Sequence, residues 1–454
     1  MIIDPVHGDI GLSELETKII DTPTFQRLRR LKQLGFASFV YPNASYSRFA
    51  HSLGVLHLAS RVTETFYRQD IIDDDVVKKL RLAALLHDVG HYPYSHLMEY
   101  IEWEKESEQF LQKKDSSEEV KRKERIYPSH ETLSKIIVTK RKDIVDLLER
   151  EKIDPEEIAA LMEGEHPEIP NMLHKSLDVD RLDYLVRDAH NTGLPYGRVD
   201  LNYILNNLEV SNEGEIVVRK KARLSAEHLL LARYFMFNAV YCHKTIFGFE
   251  ELVRKTIKLL ADKGKIYSSG EEIEKMITEG SVEFLFFDDS YLDKSIDEYV
   301  DSSDEPLLTA FCRKIKFRQP PKLVYEETEL HVENASKEYT VFRVFLNDKL
   351  NQTLEECGYD NPDHFFWREP KDIGFEALNP FVSLSHLKDI KDEELRELVK
   401  INDNGNIVNL VEDKSSVISY LSPLKYKSIR LYTIETDSSK LELLRSRISA
   451  FLNQ

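Results

Sequence analysis

The strongest constraint on the fold of this chain is an apolar segment followed directly by two ionisable residues. Residues 80–86 are apolar nearly all round, which predicts a central, buried helix that ends near Gly90. His87 and Asp88 follow this segment at once. A buried histidine or carboxylate costs free energy unless it is paired or bound to a metal. For His87 alone, a satisfied core histidine is the simpler interpretation, so a metal site requires further residues of the same kind.

Two other predicted helices carry such residues. His51 follows Phe49 and Ala50, and the two carboxylates of Asp178 and Asp180 directly precede residues 181–184 of the helix predicted over 172–188. Two histidines together with two carboxylates make a mixed nitrogen and oxygen site that suits Mn, Fe, Zn, Ni or Mg. Such a site leaves positions open for water and an anion. These residues therefore indicate a site for a divalent metal ion whose identity stays open.

Composition limits the class of protein. The 454 residues carry 62 basic and 80 acidic side chains, a net charge of -18, which argues against a nucleic-acid binder that works by bulk electrostatics. Cys242, Cys312 and Cys357 are too far apart for a disulfide framework or a cysteine-based zinc site. No apolar run is long enough to cross a bilayer, and no secretory signal is visible. We expect a soluble cytoplasmic protein with no membrane contact.

Helical periodicity dominates the first part of the chain. The patterns predict helices over 47–68, 76–89, 172–188 and 225–260, among others. Residues 102–125 are rich in Glu and Lys and predict a charged insertion. Residues 322–346 alternate like strands, and a strand over 429–434 precedes a final helix. We therefore expect a mainly α protein, with a helical domain at 1–262 and a smaller α+β region at 263–454.

Polar motifs recur in a fixed order along the helical part. Residues 48–52 read Arg-Phe-Ala-His-Ser, residues 86–91 read Leu-His-Asp-Val-Gly-His, and residues 178–181 read Asp-Val-Asp-Arg. This order resembles the HD-domain metal phosphohydrolases. With residues 26–35 included, it resembles the deoxynucleoside triphosphate triphosphohydrolases, which comprise bacterial dNTPases and the mammalian enzyme that joins a SAM domain to an HD domain. The resemblance covers about residues 1–260 and implies an HD-domain helical core, with no SAM domain expected before it.

The resemblance implies a role for the polar residues of these motifs. The expected metal ligands are His51, His87, Asp88 and Asp180. His130, which follows the charged insertion, matches the family's catalytic histidine, and Glu99 matches the carboxylate that orients it. His91 and His96 are expected to line the α-phosphate and the sugar, with His91 in the catalytic set.

The resemblance also implies a binding site for a deoxynucleotide. Its expected members are Gln33, Leu34, Arg48, His96, Arg181, Tyr184, Asp188, Arg233, Tyr241 and Lys244. Tyr184 and Tyr241 are expected where a ribose 2′-hydroxyl would lie, although each alone is better explained as a core aromatic. Gln33 and Asp188 are expected at the 3′-hydroxyl, and Leu34 at the base. The basic members are expected to hold phosphates or to lie near the substrate.

The implied reaction is metal-dependent hydrolysis of a dNTP to a deoxynucleoside and inorganic triphosphate. A phosphodiesterase or 5′-nucleotidase of the same superfamily would use the same metal ligands, so the ligands leave that alternative open. The additional nucleotide-binding set favours the triphosphohydrolase. A non-catalytic nucleotide sensor is an alternative of another class, and the intact pair of His130 and Glu99 weighs against it. The preferred dNTP stays open.

Three residues near the N-terminus resemble a regulatory nucleotide site. Asp21, Gln26 and Arg29 match positions that hold an activating guanine nucleotide at the subunit interface of family tetramers. The alternative is a helix cap and two surface polar residues. Only three residues precede Asp4, so the family's first regulatory phosphate-binding lysine is expected to be missing. The resemblance implies a homodimer or homotetramer, with GTP or a dNTP as activator and with that activation altered, weaker or absent.

Overall fold

The computed structural model shows a mainly helical chain with small sheets. It describes residues 1–99, 101–105, 122–125, 127–166, 169, 171–173, 177–212, 214–331, 336–369, 373 and 398–453. Within these ranges no helix is both long and apolar enough to cross a membrane. Most of the charged insertion expected at 102–125 lies outside the described residues, which include only a strand at each of its ends.

The helices of the N-terminal half surround the three polar motifs. They are α1 Glu14–Ile20, α2 Pro23–Gln26, α3 Arg48–Tyr67, α4 Asp74–Leu86, α5 His96–Glu99, α6 His130–Lys140, α7 Lys142–Arg150, α8 Pro155–Glu163, α9 Val179–Thr192, α10 Leu201–Leu205, α11 Arg223–Met236 and α12 Lys244–Asp262. Helix α3 packs on α4 and α9, while α4 and α6 both pack on α8. The first and third motifs therefore lie on neighbouring helices.

The remaining helices follow in the C-terminal half. They are α13 Gly270–Thr278, α14 Asp289–Asp297, α15 Pro306–Lys316, α16 Lys337–Val344, α17 Leu350–Glu356, α18 Val417–Leu421 and α19 Ser438–Leu452. Helix α15 packs on α12, and α13 packs on α6, so this half contacts the helices of the first.

Four small sheets lie among the described residues. Their strands are β1 Ile2–Asp4, β2 Gly8–Ile10, β3 Glu102–Lys105, β4 Arg122–Arg125, β5 Leu208–Val210, β6 Ile216–Arg219, β7 Lys322–His331, β8 Phe365–Arg368, β9 Lys400–Asp403, β10 Asn406–Asn409 and β11 Lys425–Thr433. The strand orders are β1-β2, β3-β4, β10-β9-β6-β5 and β7-β11-β8. All pairings are antiparallel except β6 with β9, which places Val218 opposite Ile401.

The apolar core is continuous across the two halves of the chain. The main cluster extends from Ile10 through helices α3 and α12 to Phe366 and Tyr432. A second, smaller cluster lies between β7, α16, β11 and α19, around Phe342 and Ile429. The sheet that contains β6 and β9 also joins residues far apart in the chain. The division into domains at 262 and 263 stays a prediction, and these contacts tie the C-terminal region to the helical core.

Two predicted helices differ from the structure for local reasons. The helix expected at 225–260 is interrupted by a π-helical turn, Phe237–Tyr241, after which the His243 side chain caps α12 by accepting the N–H of Thr245 at 3.3 Å. The helix expected from residue 172 begins only at Val179, because the Asp178 carboxylate caps it.

The strands expected at 322–346 are found only in the first part of that range. Residues up to His331 form β7, but α16 begins at Lys337. The Ser336 hydroxyl caps this helix by accepting the N–H of Tyr339 at 3.1 Å. Tyr339 and Phe342 then bury one helical face. Their spacing of three residues indicates a helix, but the alternation of the preceding strand β7 was extended over them.

Gly90 allows the turn after His87 and Asp88 to pack directly on helix α6. A Cβ at this position would lie 2.3 Å from the Ser134 backbone nitrogen and 2.5 Å from the His130 carbonyl oxygen. The same contact is held by Ser134, whose hydroxyl accepts the Gly90 N–H at 2.9 Å and donates to the His87 carbonyl at 2.7 Å. The glycine thus sets the spacing between the second motif and the helix that carries His130.

Replacing Gly90 should therefore destabilise the protein. We expect Gly90→Ala to lower the free energy of unfolding by about 2 kcal/mol or more, because the clash is with backbone that cannot rotate away. Urea unfolding followed by circular dichroism measures this. Gly11→Ala is the matched control, since no atom lies within 4 Å of a Cβ there. Equal stability of the two variants would show that the close packing at Gly90 does not contribute.

Candidate functional site

Three of the four expected metal ligands converge from three helices. His51 lies on α3, His87 directly follows α4, and Asp180 is in the first turn of α9. One ligand atom from each lies within 4.8 Å of the others. The Asp180 Oδ1 atom is 2.9 Å from His51 Nε2 and 3.8 Å from His87 Nε2. The packing of α3 on α4 and α9 thus brings together residues that are distant in the sequence.

The hydrogen bonds behind the two imidazoles leave their inner nitrogens available. His51 Nδ1 donates to Asp183 Oδ2 at 2.8 Å, and His87 Nδ1 donates to the Ala84 carbonyl at 2.8 Å. The Nε2 atoms of both histidines are buried and face the Asp180 carboxylate. A buried nitrogen lone pair that faces a carboxylate is the donor arrangement of a divalent metal site. The residues present therefore fit a metal ion.

The electrostatics of this group also favour a cation. Burial lowers the pKa of His51, but the hydrogen bonds and charges of Asp180 and Asp183 outweigh burial and raise it to about 10. Burial raises the pKa of Asp180, while the two imidazoles hold it well below the usual range. Negative charge that stabilises a proton at this point stabilises a divalent cation in the same way.

Asp88 joins the metal group to a second cluster of histidines. Its carboxylate lies 3.4 Å from His87 Nε2 and 3.8 Å from His51 Nε2. Asp88 also accepts a hydrogen bond from Arg48 at 2.6 Å and lies 3.2 Å from His91 Nε2. Arg48 is buried in this contact, so its expected role in phosphate binding stays a prediction.

The second cluster is centred on the buried carboxylate of Glu99. His130 Nδ1 lies 3.1 Å from both Glu99 oxygens, and His96 Nδ1 lies 2.8 Å from Oε2. The backbone N–H of His130 also donates to Glu99 at 3.1 Å. The expected pairing of Glu99 with His130 is present in the structure. Glu99 holds His96 as well, which the sequence reasoning had not anticipated.

The three imidazoles of this cluster have different protonation preferences. Burial lowers the pKa of His130, but the hydrogen bond and charge of Glu99 outweigh burial and raise it above the usual value. Burial lowers the pKa of His96 despite Glu99. Burial and the Arg48 charge hold the pKa of His91 well below the usual range. His130 is therefore the imidazole best able to carry a proton near neutral pH.

The ring geometry favours proton transfer over metal binding in this second cluster. The His91 and His130 rings are stacked, with centroids 3.8 Å apart and planes 15° apart. Ring nitrogen lone pairs lie in the ring plane, so parallel stacked rings do not direct them to one point. Both Nδ1 atoms facing Glu99 are also engaged already. Four ligand atoms of His91, His96, Glu99 and His130 also lie within 4.8 Å of one another, so the assignment of the first cluster as the metal centre and of this one as acid–base groups stays a prediction.

Residues expected around the sugar are connected through Tyr46. The Tyr46 carbonyl accepts the backbone N–H of Gln33 at 3.1 Å, and the Tyr46 hydroxyl donates to the buried carboxylate of Asp188. Tyr241 donates to the same carboxylate, and its ring lies perpendicular to that of Tyr184 at 6.4 Å. Burial raises the pKa of Asp188 to about 6. The structure thus brings Tyr184, Asp188 and Tyr241 together, and the backbone of Gln33 is bonded to that of Tyr46 beside them.

The basic residues expected at the phosphates are divided between two places. Arg233 is buried near Arg181, and burial together with the Arg181 charge lowers the pKa of Arg233 to about 10. Two neighbouring guanidinium groups attract an anion. Lys244 lies three residues beyond Tyr241 and is an exposed residue at the start of α12. Leu34 is buried in the core.

The expected regulatory residues are held by local contacts. Gln26 donates to the Ile20 carbonyl at 2.8 Å and accepts from Arg29 at 2.8 Å. The Arg29 guanidinium lies 3.6 Å from the centre of the Phe49 ring. Asp21 is exposed and ends helix α1. These contacts correspond to the helix-cap alternative for Asp21, and the regulatory site stays a prediction.

Some residues that support the metal ligands could not be recognised from the sequence motifs. Asp183 accepts hydrogen bonds from His51, from His7 and from Arg187, and all are buried or nearly so. The spacing of Asp183 and Arg187 by four residues on one helix is a signal that could have indicated their pairing. The contact of His7 with Asp183 spans 176 residues and carries no local signal.

Comparison with known proteins gives the family. The HD domain family matches residues 48–188, and the HD associated region matches residues 199–289. The uncharacterized protein MG461 of Mycoplasma genitalium is 30% identical over 382 residues, which are 77% of this chain and 85% of that protein. This chain belongs to the HD-domain family. With its His and Asp cluster, it is a metal-dependent HD hydrolase.

Other relatives of this HD hydrolase share shorter or more divergent regions. The uncharacterized protein MJ1154 of Methanocaldococcus jannaschii is 33% identical over 301 residues, which are 65% of this chain and 57% of that protein. Human deoxynucleoside triphosphate triphosphohydrolase SAMHD1 is 31% identical over 267 residues, 54% of this chain and 42% of SAMHD1. This HD hydrolase thus spans less than two thirds of either protein.

A solved structure shows the same fold over nearly the whole chain. The crystal structure of a phosphohydrolase, BT4208 of Bacteroides thetaiotaomicron, covers 95% of this chain and 98% of its own, with a TM-score of 0.68 and 24% identity. The fold of this HD hydrolase therefore extends beyond the HD domain itself into the C-terminal region.

The metal group generates a direct prediction. Asp180→Ala removes the carboxylate nearest to both Nε2 atoms, so we expect the variant to lose most of its bound metal and its turnover. Metal content after dialysis, measured by plasma mass spectrometry, checks this. Asp262→Ala changes an exposed aspartate at the end of α12 and serves as the control. Unchanged metal content in Asp180→Ala would exclude Asp180 as a ligand.

The acid–base cluster generates a prediction about pH. Because Glu99 raises the pKa of His130, Glu99→Gln should lower that pKa, and the protonated imidazole should be lost at lower pH. We expect the basic limb of the kcat/KM profile to move to lower pH by about one unit or more. Exposed Glu165→Gln should leave the profile in place. A basic limb at the wild-type pH in Glu99→Gln would contradict the assignment of His130 as a proton donor whose pKa Glu99 raises.

Proposed function

We propose that this HD hydrolase cleaves dNTPs to deoxynucleoside and inorganic triphosphate. One observation carries the proposal: Asp88 lies 3.4 Å from His87 of the metal group and 3.2 Å from His91, which stacks on His130. A metal centre and a proton donor therefore lie on the two sides of one carboxylate. Attack by water and protonation of a leaving oxygen need this arrangement.

The metal centre is proposed to consist of His51, His87 and Asp180, with Asp88 completing the set. A divalent ion held there would neutralise phosphate charge and lower the pKa of a bound water. Mn, Mg, Fe, Ni or Zn all suit these ligands, and the choice among them is part of the test below.

The chain's own residues provide the other elements of the reaction. Water adds to the α-phosphorus, and the bond from phosphorus to the 5′-oxygen breaks. The 5′-oxygen leaves with a proton from His130, whose pKa Glu99 raises. Arg181 on α9 and Arg233 on α11 are proposed to hold the phosphate tail, because the Arg181 charge acts on the buried Arg233 and lowers its pKa. The products are a deoxynucleoside and triphosphate.

Specificity for a deoxy sugar is proposed to depend on the tyrosine and aspartate region. Asp188 already accepts hydrogen bonds from Tyr46 and Tyr241, so a carboxylate with remaining lone pairs is available for one sugar hydroxyl. The perpendicular Tyr184 ring closes this region on another side. A ribonucleotide would place its additional hydroxyl against aromatic surface, where it finds no hydrogen-bond partner.

The alternatives differ from this proposal in their products. A phosphodiesterase or a 5′-nucleotidase using the same metal ligands would release no triphosphate. Similarity to known triphosphohydrolases supports the proposal, since human SAMHD1 and the SAMHD1 homolog of Dictyostelium discoideum are about 30% identical to this chain over their matched regions. A non-catalytic sensor is disfavoured by the intact Glu99 and His130 pair.

Product analysis tests the proposed reaction. We expect each active dNTP to yield intact triphosphate in an amount equal to the deoxynucleoside, with ribonucleotides as poor substrates, when assayed with several metals, with and without GTP. His130→Ala should lower kcat by about 10²–10⁴-fold with KM nearly unchanged. His96→Ala is the matched comparison within the same cluster and should keep more activity. Release of pyrophosphate or monophosphate would contradict the proposal.

Regulation and assembly are further parts of the proposal. Asp21, Gln26 and Arg29 are proposed to contact an activating GTP or dNTP in a homodimer or homotetramer. The hydrogen bond between Gln26 and Arg29 and the exposure of Asp21 are compatible with such a surface. The GTP arm of the product assay tests the activator, and cytoplasmic location remains our expectation from composition.

A further inference from the structure

We propose that the turn between strands β1 and β2, through Asp4 and His7, is a positioning element of the metal centre. It acts through Asp183, which holds His51 from behind. Neither turn residue belongs to the regions that match the HD domain or the HD associated region. The inference rests on the proposed metal ligands, since it concerns how one of them is held.

The contacts form a chain from the turn to the metal ligand. His7 Nε2 donates to Asp183 Oδ1 at 2.6 Å, and the other Asp183 oxygen accepts from His51 Nδ1 at 2.8 Å. The Asp183 side chain is fully buried, and 6% of the His7 side chain is exposed. Each oxygen of one carboxylate is therefore assigned to a different imidazole.

Arg187 ties the same carboxylate to the turn a second time. Its guanidinium donates to Asp183 at 2.8 and 3.0 Å and to Asp4 at 2.7 and 3.2 Å. Asp4 Oδ1 also accepts the backbone N–H groups of Val6 and His7, each at 2.9 Å, which fixes the turn itself. Asp4 thereby connects the shape of the turn to the orientation of Asp183.

Gly54 on helix α3 makes room for this arrangement. A Cβ there would lie 1.9 Å from Asp183 Oδ1 and 2.2 Å from Arg187 Nη2. The carboxylate thus occupies the space that a side chain at position 54 would fill. This is independent support, because Gly54 lies three residues after His51 on the helix that Asp183 must approach.

The physical consequence is a fixed and more basic His51. A carboxylate that accepts Nδ1–H sets the tautomer with its lone pair on Nε2 and strengthens that nitrogen as a ligand. Asp183 can do so only while His7 and Arg187 hold it in place. Loss of the turn's contacts should therefore weaken metal binding although no ligand is changed.

Metal titration of the metal-free protein tests this. We expect His7→Leu to weaken Mn²⁺ binding, measured by calorimetry, by about 10–100-fold. His7→Gln retains an N–H donor for Asp183 and should recover part of this loss. His190→Leu, an exposed histidine on the same helix as Asp183, is the control and should bind like wild type.

The Gly54→Ala variant and the visible spectrum of the Co²⁺-loaded protein test the same inference independently. Gly54→Ala should weaken Mn²⁺ binding and change the visible spectrum of the Co²⁺-loaded protein, as His7→Leu should. If His7→Leu does not fold, the Mn²⁺ affinity and the Co²⁺ spectrum of Gly54→Ala and His7→Gln test the inference in its place. Wild-type affinity and spectrum in the folded variants would overturn the inference. Failure of Asp180→Ala to lose metal would instead overturn the proposed ligands, so the two failures are distinguishable.

Discussion

The burial of ionised carboxylates among apolar helices is the constraint on which this structure depends. Asp88 and Asp183 are nearly or fully inaccessible to water, and each is stabilised by an arginine and by imidazoles. Removing one partner from such a group leaves a buried charge uncompensated, which costs about 3–5 kcal/mol. The packing of α3, α4 and α9 is therefore coupled to the polar site at its centre. Fold and site are stabilised by the same contacts.

These two carboxylates make different contacts in the site. Asp183 lies behind the metal group and orients His51, while Asp88 lies between the metal group and the imidazoles around Glu99. In the proposed mechanism, Asp88 thus lies between the metal ligands and His91, which stacks on the proposed proton donor His130. The proposed roles of the metal-bound water and of His130 follow the general rule that groups whose pKa values are pushed apart by their surroundings can supply base and acid functions at the same pH.

Sequence reasoning predicted the local parts of this arrangement and overlooked the long-range parts. The helix at 47–68 was predicted within a residue or two of α3, because its apolar positions recur at helical spacing. Polar residues inside apolar segments indicated a metal site, and the resemblance to HD-domain phosphohydrolases implied its ligands, His51, His87, Asp88 and Asp180. The interruption of the helix expected at 225–260 depends on the π-helical turn before His243, which periodicity does not reveal. The pairing of His7 with Asp183 depends on tertiary packing alone.

Anomalous X-ray scattering from crystals of the Mn²⁺-loaded protein tests the central claim most directly. The claim is that the divalent ion lies among His51, His87 and Asp180, and not among the imidazoles around Glu99. We predict one strong anomalous peak within bonding distance of both Nε2 atoms and of the Asp180 carboxylate. A peak bound instead by His96 and His130, with none between His51 and His87, would contradict the assignment of metal centre and proton donor.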